Sequence, residues 1–109
     1  MLLNAMSKFT LADLEQRVSD RALASAQQSY TRQLLDKGVS QCAKKFGEEA
    51  VEAVLAAVSE DRERLIAESA DVLYHLLVML RARGVTLAEI EALLETRAKK
   101  SGLDEKASR

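Results

Sequence analysis

The spacing of hydrophobic and polar residues along the chain is that of α-helices. Apolar residues recur every three or four positions over most of its length, which places them on one face of a helix. Over 62–83 they cover almost the whole circumference, as in a helix that is buried on most sides. The pattern predicts four helices, over 11–28, 41–58, 62–83 and 87–100, with a helical or nearly helical segment over 29–37.

Capping residues mark the ends of these predicted helices. Thr10 and Thr86 each precede a helix, and an acidic residue follows three positions later, which is typical of a helix N-terminus. Ser40 is placed to cap the second long helix, and Gly38 and Gly84 can adopt the left-handed conformation that ends a helix. No proline interrupts the chain. We therefore predict an all-α, antiparallel bundle of four to five helices.

The composition fits one small domain. With 109 residues, 48% of them hydrophobic but only 4% aromatic, the chain is rich in helix formers and poor in strand formers. We expect a single domain over 9–100, with a flexible N-terminus at 1–8 and a polar C-terminal tail at 101–109. The helices carry more apolar surface than one short chain can cover, which predicts association into at least a homodimer.

Charge, hydropathy and cysteine content exclude several classes of protein. The 16 basic and 17 acidic residues give a net charge of −1, whereas a general nucleic-acid-binding protein would show a basic excess. No segment has the pattern of a signal peptide or the length of a membrane span. The single cysteine, Cys42, excludes an intrachain disulfide. We expect a cytoplasmic protein that binds neither nucleic acid nor membranes.

The predicted helix over 62–83 carries polar residues on one side. At 100° per residue, Glu68, Asp71 and His75 lie within about 60° of each other. A buried carboxylate must be compensated by a cation or protonated. These acids therefore pair with basic side chains, face a solvated groove, or coordinate a metal, and metal coordination is the better account.

A matching set of acids lies on the preceding helix. Glu48, Glu49 and Glu52 share one flank of that helix, as a solvated surface cluster also would. The spacing of Glu49 and Glu52 recurs in the acid pair of the next helix, and only a short turn separates the two helices, so the carboxylates could converge. An all-oxygen site suits Mg²⁺, with Mn²⁺ as a substitute, rather than zinc.

Such a carboxylate site, with no Ser-His or Cys-His pair nearby, indicates metal-assisted hydrolysis of a phosphate compound. The phosphates would need cations, although each available cation could equally be a solvated surface charge. The candidates are Arg32, Lys37, Lys44 and Lys45. The chain has no glycine-rich phosphate loop.

The acidic motif resembles the signature of a known enzyme family. Glu48-Glu49-x-x-Glu52 followed by Glu68-x-x-Asp71 is similar to the EExxE…ExxD motif of the all-α, MazG-type nucleotide pyrophosphohydrolases. Three blocks narrow the resemblance to the phosphoribosyl-ATP pyrophosphatases, and it spans residues 9–96. The blocks are Ser29-Tyr30-Thr31…Leu34-Leu35…Lys37-Gly38, Lys44-Lys45-x-Gly47-Glu48-Glu49-Ala50-Val51-Glu52 and Asp71-Val72-Leu73-Tyr74-His75-Leu76-Leu77.

The resemblance implies Mg²⁺-dependent hydrolysis of phosphoribosyl-ATP to phosphoribosyl-AMP and pyrophosphate, the second step of histidine biosynthesis, by a homodimer. It places the metal on Glu49, Glu52, Glu68 and Asp71. It makes Glu48 a further ligand or the group that orients the attacking water, so that Glu48 and Glu49 are the expected catalytic residues.

Residues around the metal complete the expected site. The expected substrate-binding residues are Tyr30, Thr31, Arg32, Lys37, Lys44 and Lys45. Helix packing would explain Tyr30 equally well. His75 is expected to support the ligands or to pack in the core rather than to bind the metal.

Three other interpretations stay open. Another MazG-type enzyme, one that clears noncanonical nucleoside triphosphates, would share the metal site and differ in the base pocket. A carboxylate-bridged di-iron bundle requires Glu-x-x-His on each of two helices, whereas the one histidine, His75, follows Asp71 by four positions. A non-catalytic helical adaptor would have no use for buried acids on the helix over 62–83.

Overall fold

The computed structural model describes residues 8–59 and 61–100, which form five α-helices and no strands. The helices are α1 Leu11–Ala22, α2 Tyr30–Asp36, α3 Val39–Val58, α4 Arg62–Ala82 and α5 Leu87–Ala98. The all-α prediction is confirmed for these residues. No helix among them is long and apolar enough to cross a membrane. The expected flexible N-terminus, except Lys8, and the expected C-terminal tail lie outside the described residues.

Both predicted threonine caps are confirmed. The Thr10 hydroxyl accepts a hydrogen bond from the backbone N–H of Asp13 at 3.2 Å, while the Asp13 carboxylate accepts one from the Thr10 backbone N–H at 2.9 Å. Thr86 and Glu89 exchange the same pair of bonds at the start of α5. Each cap satisfies backbone groups that a helix end otherwise leaves free, so α1 and α5 begin where the sequence predicts.

The first helix is shorter than its hydrophobic pattern predicts, and that prediction is wrong: α1 ends at Ala22 and not at position 28. Side chains from the next element bind the carbonyl groups at this end. The Ser29 hydroxyl donates to the Arg21 carbonyl at 2.7 Å, and the Arg32 guanidinium donates to the Ala22 carbonyl at 3.5 Å. These contacts stabilise a turn over 23–28 that helical periodicity does not reveal.

Helix α3 begins at Val39, two positions before the predicted start, and its N-cap is Gly38, so the prediction of Ser40 as the cap is wrong. Gly38 has a φ of 96° and a ψ of 172°, a conformation that residues with a Cβ rarely adopt. The tight turn at Gly38 lets α3 start directly after α2, which leaves Ser40 inside the first turn. At the end of α4, Gly84 has the expected positive φ, 69°.

Helices α3 and α4 form an antiparallel hairpin and contact each other more extensively than any other pair among the described residues. Helices α1 and α2 also pack on this hairpin. The buried core lies where these four helices meet and contains Val18, Leu34, Cys42, Leu77 and Val78. Burying one aliphatic side chain of this size stabilises the fold by about 1.5–3 kcal/mol.

Cys42 packs as a small core residue, as a lone cysteine on an apolar stripe suggests. Its thiol is fully buried and donates to the Leu34 carbonyl, with the sulfur 3.3 Å from the oxygen. Burial raises the pKa of the Cys42 thiol, which therefore stays protonated.

One face of the α3–α4 hairpin is uncovered in the single chain. Val54 and Ile66 are 60% and 57% exposed, and Val58 is 73% exposed. The prediction that α4 is buried on most sides does not hold within one chain. Helices α1 and α2 cover one flank of α4, where the buried residues Leu77 and Val78 lie, and leave the other to solvent.

Candidate active site

Three carboxylates converge near the middle of the α3–α4 hairpin. One carboxylate oxygen from each of Glu49, Glu68 and Asp71 lies within 4.8 Å of the other two. Glu49 comes from α3, while Glu68 and Asp71 are three positions apart on α4 and so share a face. We call these three residues the carboxylate cluster. Its all-oxygen donors are those that Mg²⁺ and Mn²⁺ prefer.

Glu52, the fourth predicted ligand, lies beside the carboxylate cluster. Its carboxylate is 3.5 Å from the guanidinium of Arg64, and that guanidinium is also 3.7 Å from the carboxylate of Glu68. Arg64 thus bridges an acid of α3 and an acid of α4. Sequence reasoning did not select Arg64, although its position four residues before Glu68 is one at which helical ion pairs form.

Lys45 contacts two acidic residues of its own helix, α3. Its ammonium nitrogen lies 3.3 Å from the carboxylate of Glu48 and 3.9 Å from that of Glu49. The hydrogen bond that the Lys45 ammonium donates to the Glu48 carboxylate raises the pKa of Lys45, so the ammonium stays charged at neutral pH. Glu48 therefore stands next to the carboxylate cluster and shares a cation with it.

His75 lies one helical turn beyond Asp71 and is almost completely buried, with 6% of its surface exposed. Its ring packs edge-to-face against Tyr74 and Tyr30, at centroid distances of 4.9 and 6.3 Å. Burial lowers the pKa of His75 even though the carboxylate of Glu49 opposes the shift. The imidazole is therefore neutral, and its Nδ1 has no hydrogen-bond partner among the described residues.

The two candidate substrate contacts at the start of α2 differ in exposure. The Thr31 hydroxyl is buried and lies 2.5 Å from the phenolic oxygen of Tyr74. Burial raises the pKa of Tyr74, which keeps that phenol protonated. Tyr30 is 51% exposed. The Tyr30 side chain can therefore meet a ligand directly, whereas the Thr31 hydroxyl is engaged inside the fold.

The predicted phosphate-binding cations are dispersed. Lys45 contacts the acids, as described above. Arg32 pairs with Asp36 at 2.9 Å and caps the end of α1, so in this structure its guanidinium holds the turn that precedes α2. Lys37 and Lys44 are exposed, and their side chains form no hydrogen bond or ion pair with the described residues.

Comparison with known proteins gives evidence on the family of this chain that does not depend on the geometry of the site. The sequence model of a family described as phosphoribosyl-ATP pyrophosphohydrolase matches residues 11–98. The chain is 61% identical over 104 residues to phosphoribosyl-ATP pyrophosphatase 1 of Bradyrhizobium diazoefficiens, covering 95% of this chain and 98% of that protein. It is 60% identical to the protein of that name from Rhodopseudomonas palustris, covering 95% and 97%. It is 59% identical to phosphoribosyl-ATP pyrophosphatase of Azorhizobium caulinodans, covering 94% of each.

Proposed function

The chain belongs to the phosphoribosyl-ATP pyrophosphohydrolase family, and we propose that it hydrolyses phosphoribosyl-ATP with a divalent cation held at the carboxylate cluster. Water adds across the anhydride bond between the α and β phosphates, and the products are phosphoribosyl-AMP and pyrophosphate. This hydrolase reaction is the second step of histidine biosynthesis. The observation that carries the metal-dependent mechanism is the convergence of Glu49, Glu68 and Asp71.

The residues at the cluster fit a divalent cation. Three carboxylates at this separation repel one another, and Lys45 and Arg64 each offset only part of that charge from one side. When bound, the cation neutralises phosphate oxygens and makes water more acidic. We propose Mg²⁺, because it binds through a few carboxylates together with substrate phosphates.

The remaining acids are assigned roles by their positions. Glu48, which is adjacent to the cluster and half-exposed, accepts a proton from the attacking water or orients it. Glu52 becomes a further ligand when Arg64 exchanges its carboxylate partners for phosphate oxygens. A guanidinium suits that exchange because it binds carboxylate and phosphate in the same two-pronged geometry.

The test is pyrophosphate release from phosphoribosyl-ATP with Mg²⁺, compared with a panel of deoxynucleoside triphosphates. We expect turnover of phosphoribosyl-ATP that EDTA abolishes and Mg²⁺ restores. Faster turnover of the deoxynucleoside triphosphates would instead assign the chain to the enzymes that clear noncanonical nucleotides. Full activity in EDTA would refute the metal site.

We further propose that the active form is a homodimer and that it works in the cytoplasm. The exposed face of the α3–α4 hairpin supports the dimer, because Val51, Val54, Leu55 and Val58 follow helical spacing and are all exposed. An apolar stripe of this kind on a soluble chain is normally covered by a partner.

Light scattering at micromolar concentration tests the dimer. The wild type should have the mass of two chains, and Val54→Asp should shift the mass towards one chain. Leu23→Asp is the matched control, since Leu23 is 80% exposed at the end of α1 and lies outside this face. A monomeric wild type would overturn the proposal.

A further inference from the structure

A small cavity lined by two arginines lies near the carboxylate cluster. A cavity of about 220 Å³ lies between α1, the first turn of α2, and α4. Its polar lining residues are Arg17, Arg21, Tyr30, Thr31 and Tyr74. Two arginines and three hydroxyl-bearing residues thus line one small cavity together with Leu14 and Val18, and no carboxylate residue lines it.

The two arginines are arranged to bind an anion. Arg17 and Arg21 are four positions apart on α1, so their side chains lie on the same face of the helix. The guanidinium of Arg21 donates to the Gln28 carbonyl, which fixes its direction. Arg17 has no hydrogen-bond or ion-pair partner among the residues that the structure describes. An exposed arginine that lines a cavity without an acid is available to a ligand from solution, and a guanidinium binds phosphate through paired N–H groups.

The cavity is positioned beside the carboxylate cluster. Tyr74, in its wall, follows Asp71 by three positions on α4, which is less than one helical turn. Tyr30 and Tyr74 both contact His75, and the imidazole of His75 lies in the electric field of Glu49. A single elongated ligand can therefore occupy the cavity and the carboxylate cluster together.

We infer that this cavity binds the phosphate on the phosphoribosyl half of the substrate, with Arg17 as its principal ligand. The inference rests on the proposed function. Phosphoribosyl-ATP carries a triphosphate on one ribose and a single phosphate on a second ribose attached to the same adenine. The metal and the carboxylate cluster accommodate the triphosphate, so the single phosphate needs a cationic site of its own. Ordinary nucleoside triphosphates lack that phosphate, and the cavity therefore determines specificity.

Steady-state kinetics of Arg17→Gln test this assignment with two substrates, phosphoribosyl-ATP and ribosyl-ATP, from which the single phosphate has been removed. For phosphoribosyl-ATP we expect KM to rise about tenfold or more, because a hydrogen bond to a charged group is lost, with little change in kcat. For ribosyl-ATP the wild type and Arg17→Gln should have the same KM. Arg17→Lys keeps the charge but not the paired geometry. Its KM for phosphoribosyl-ATP should therefore lie between the KM values of the wild type and of Arg17→Gln.

Arg83→Gln is the matched control, because Arg83 is exposed at the C-terminal end of α4 and outside the cavity. Circular dichroism should show every variant folded, since the exposed side chain of Arg17 forms no hydrogen bond or ion pair with the described residues that its replacement would break. A wild type that releases no pyrophosphate from phosphoribosyl-ATP would refute the proposed function. If the wild type does release pyrophosphate, two results would refute only the phosphate site. One is an unchanged KM of Arg17→Gln for phosphoribosyl-ATP, and the other is a KM of Arg17→Gln that is raised equally for both substrates.

Discussion

Replacing Asp71 with asparagine separates the catalytic from the structural role of the carboxylate cluster. Asp71 is exposed and has no hydrogen-bond or ion-pair partner among the described residues, unlike Glu49, which pairs with Lys45, and Glu68, which pairs with Arg64. The amide keeps the size of the side chain and removes its charge. We therefore expect Asp71→Asn to fold normally and to lose activity.

The loss of activity should be large. A metal ion supplies several kcal/mol of charge stabilisation in the transition state, and each 1.4 kcal/mol corresponds to a factor of ten in rate. Losing about 3 kcal/mol through a weakened metal site lowers turnover about 100-fold. Excess Mg²⁺ or Mn²⁺ should restore part of it, because the other ligands remain.

Without metal, Asp71→Asn should be more stable than the wild type. Two unit charges 4.8 Å apart repel by about 0.9 kcal/mol in bulk water, and Asp71 is close to two such charges. Since Lys45 and Arg64 offset part of this repulsion, we expect a gain of about 1 kcal/mol in the free energy of unfolding. For a domain of this size that raises Tm by roughly 5 °C.

The assays are pyrophosphate release from phosphoribosyl-ATP and thermal unfolding in EDTA, with circular dichroism and the mass in light scattering, each compared with the wild type, as checks on folding. Glu91→Gln, which changes an exposed acid on α5 away from the cluster, should match the wild type in both. Hydrolysis at the wild-type rate by Asp71→Asn would show that the proposed metal site is wrong. A Tm of Asp71→Asn in EDTA below that of the wild type would show that the three carboxylates do not repel one another.

Three other outcomes follow from the structure. If Mg²⁺ binds at the proposed site, which exists only in the native state, millimolar Mg²⁺ should raise the Tm of the wild type and should raise that of Glu68→Gln less; equal rises would locate the metal elsewhere. Because the pKa of His75 lies below its ordinary 6.5 in the native protein, the unfolded chain takes up the proton first as the pH falls. The free energy of unfolding in EDTA should therefore decrease below about pH 6.5, and decrease less in His75→Phe; equal slopes in denaturant titrations would exclude His75 as the cause. Leu34→Ala should destabilise the fold by about 2–5 kcal/mol because Leu34 is 2% exposed, whereas the exposed Leu23→Ala should change stability by less than about 0.5 kcal/mol.

Sequence reasoning succeeded where a side chain acts within its own helix or hairpin. Thr10 and Thr86 cap the helices that follow them, and the matching acid spacings on α3 and α4 correctly brought three carboxylates together. It failed at contacts that no repeated spacing predicts, including one within the hairpin. The end of α1 depends on hydrogen bonds from Ser29 and Arg32, and the position of Glu52 depends on an arginine of the opposite helix. Helical periodicity records neither kind of contact.

The short connection between α3 and α4 has a consequence for how the site is assembled during folding. Only positions 59–61 separate the two helices, so Glu49 and Asp71, 22 positions apart, meet as soon as the hairpin closes. Closing so short a loop costs little entropy, and contacts of low sequence separation form early. Val18 and Val78 of the buried core are 60 positions apart in the sequence, so we expect the core to form later. We therefore expect the carboxylate cluster to gather its negative charge before the core is complete, so that a divalent cation bound at the proposed site would change the rate of folding as well as the stability of the folded protein.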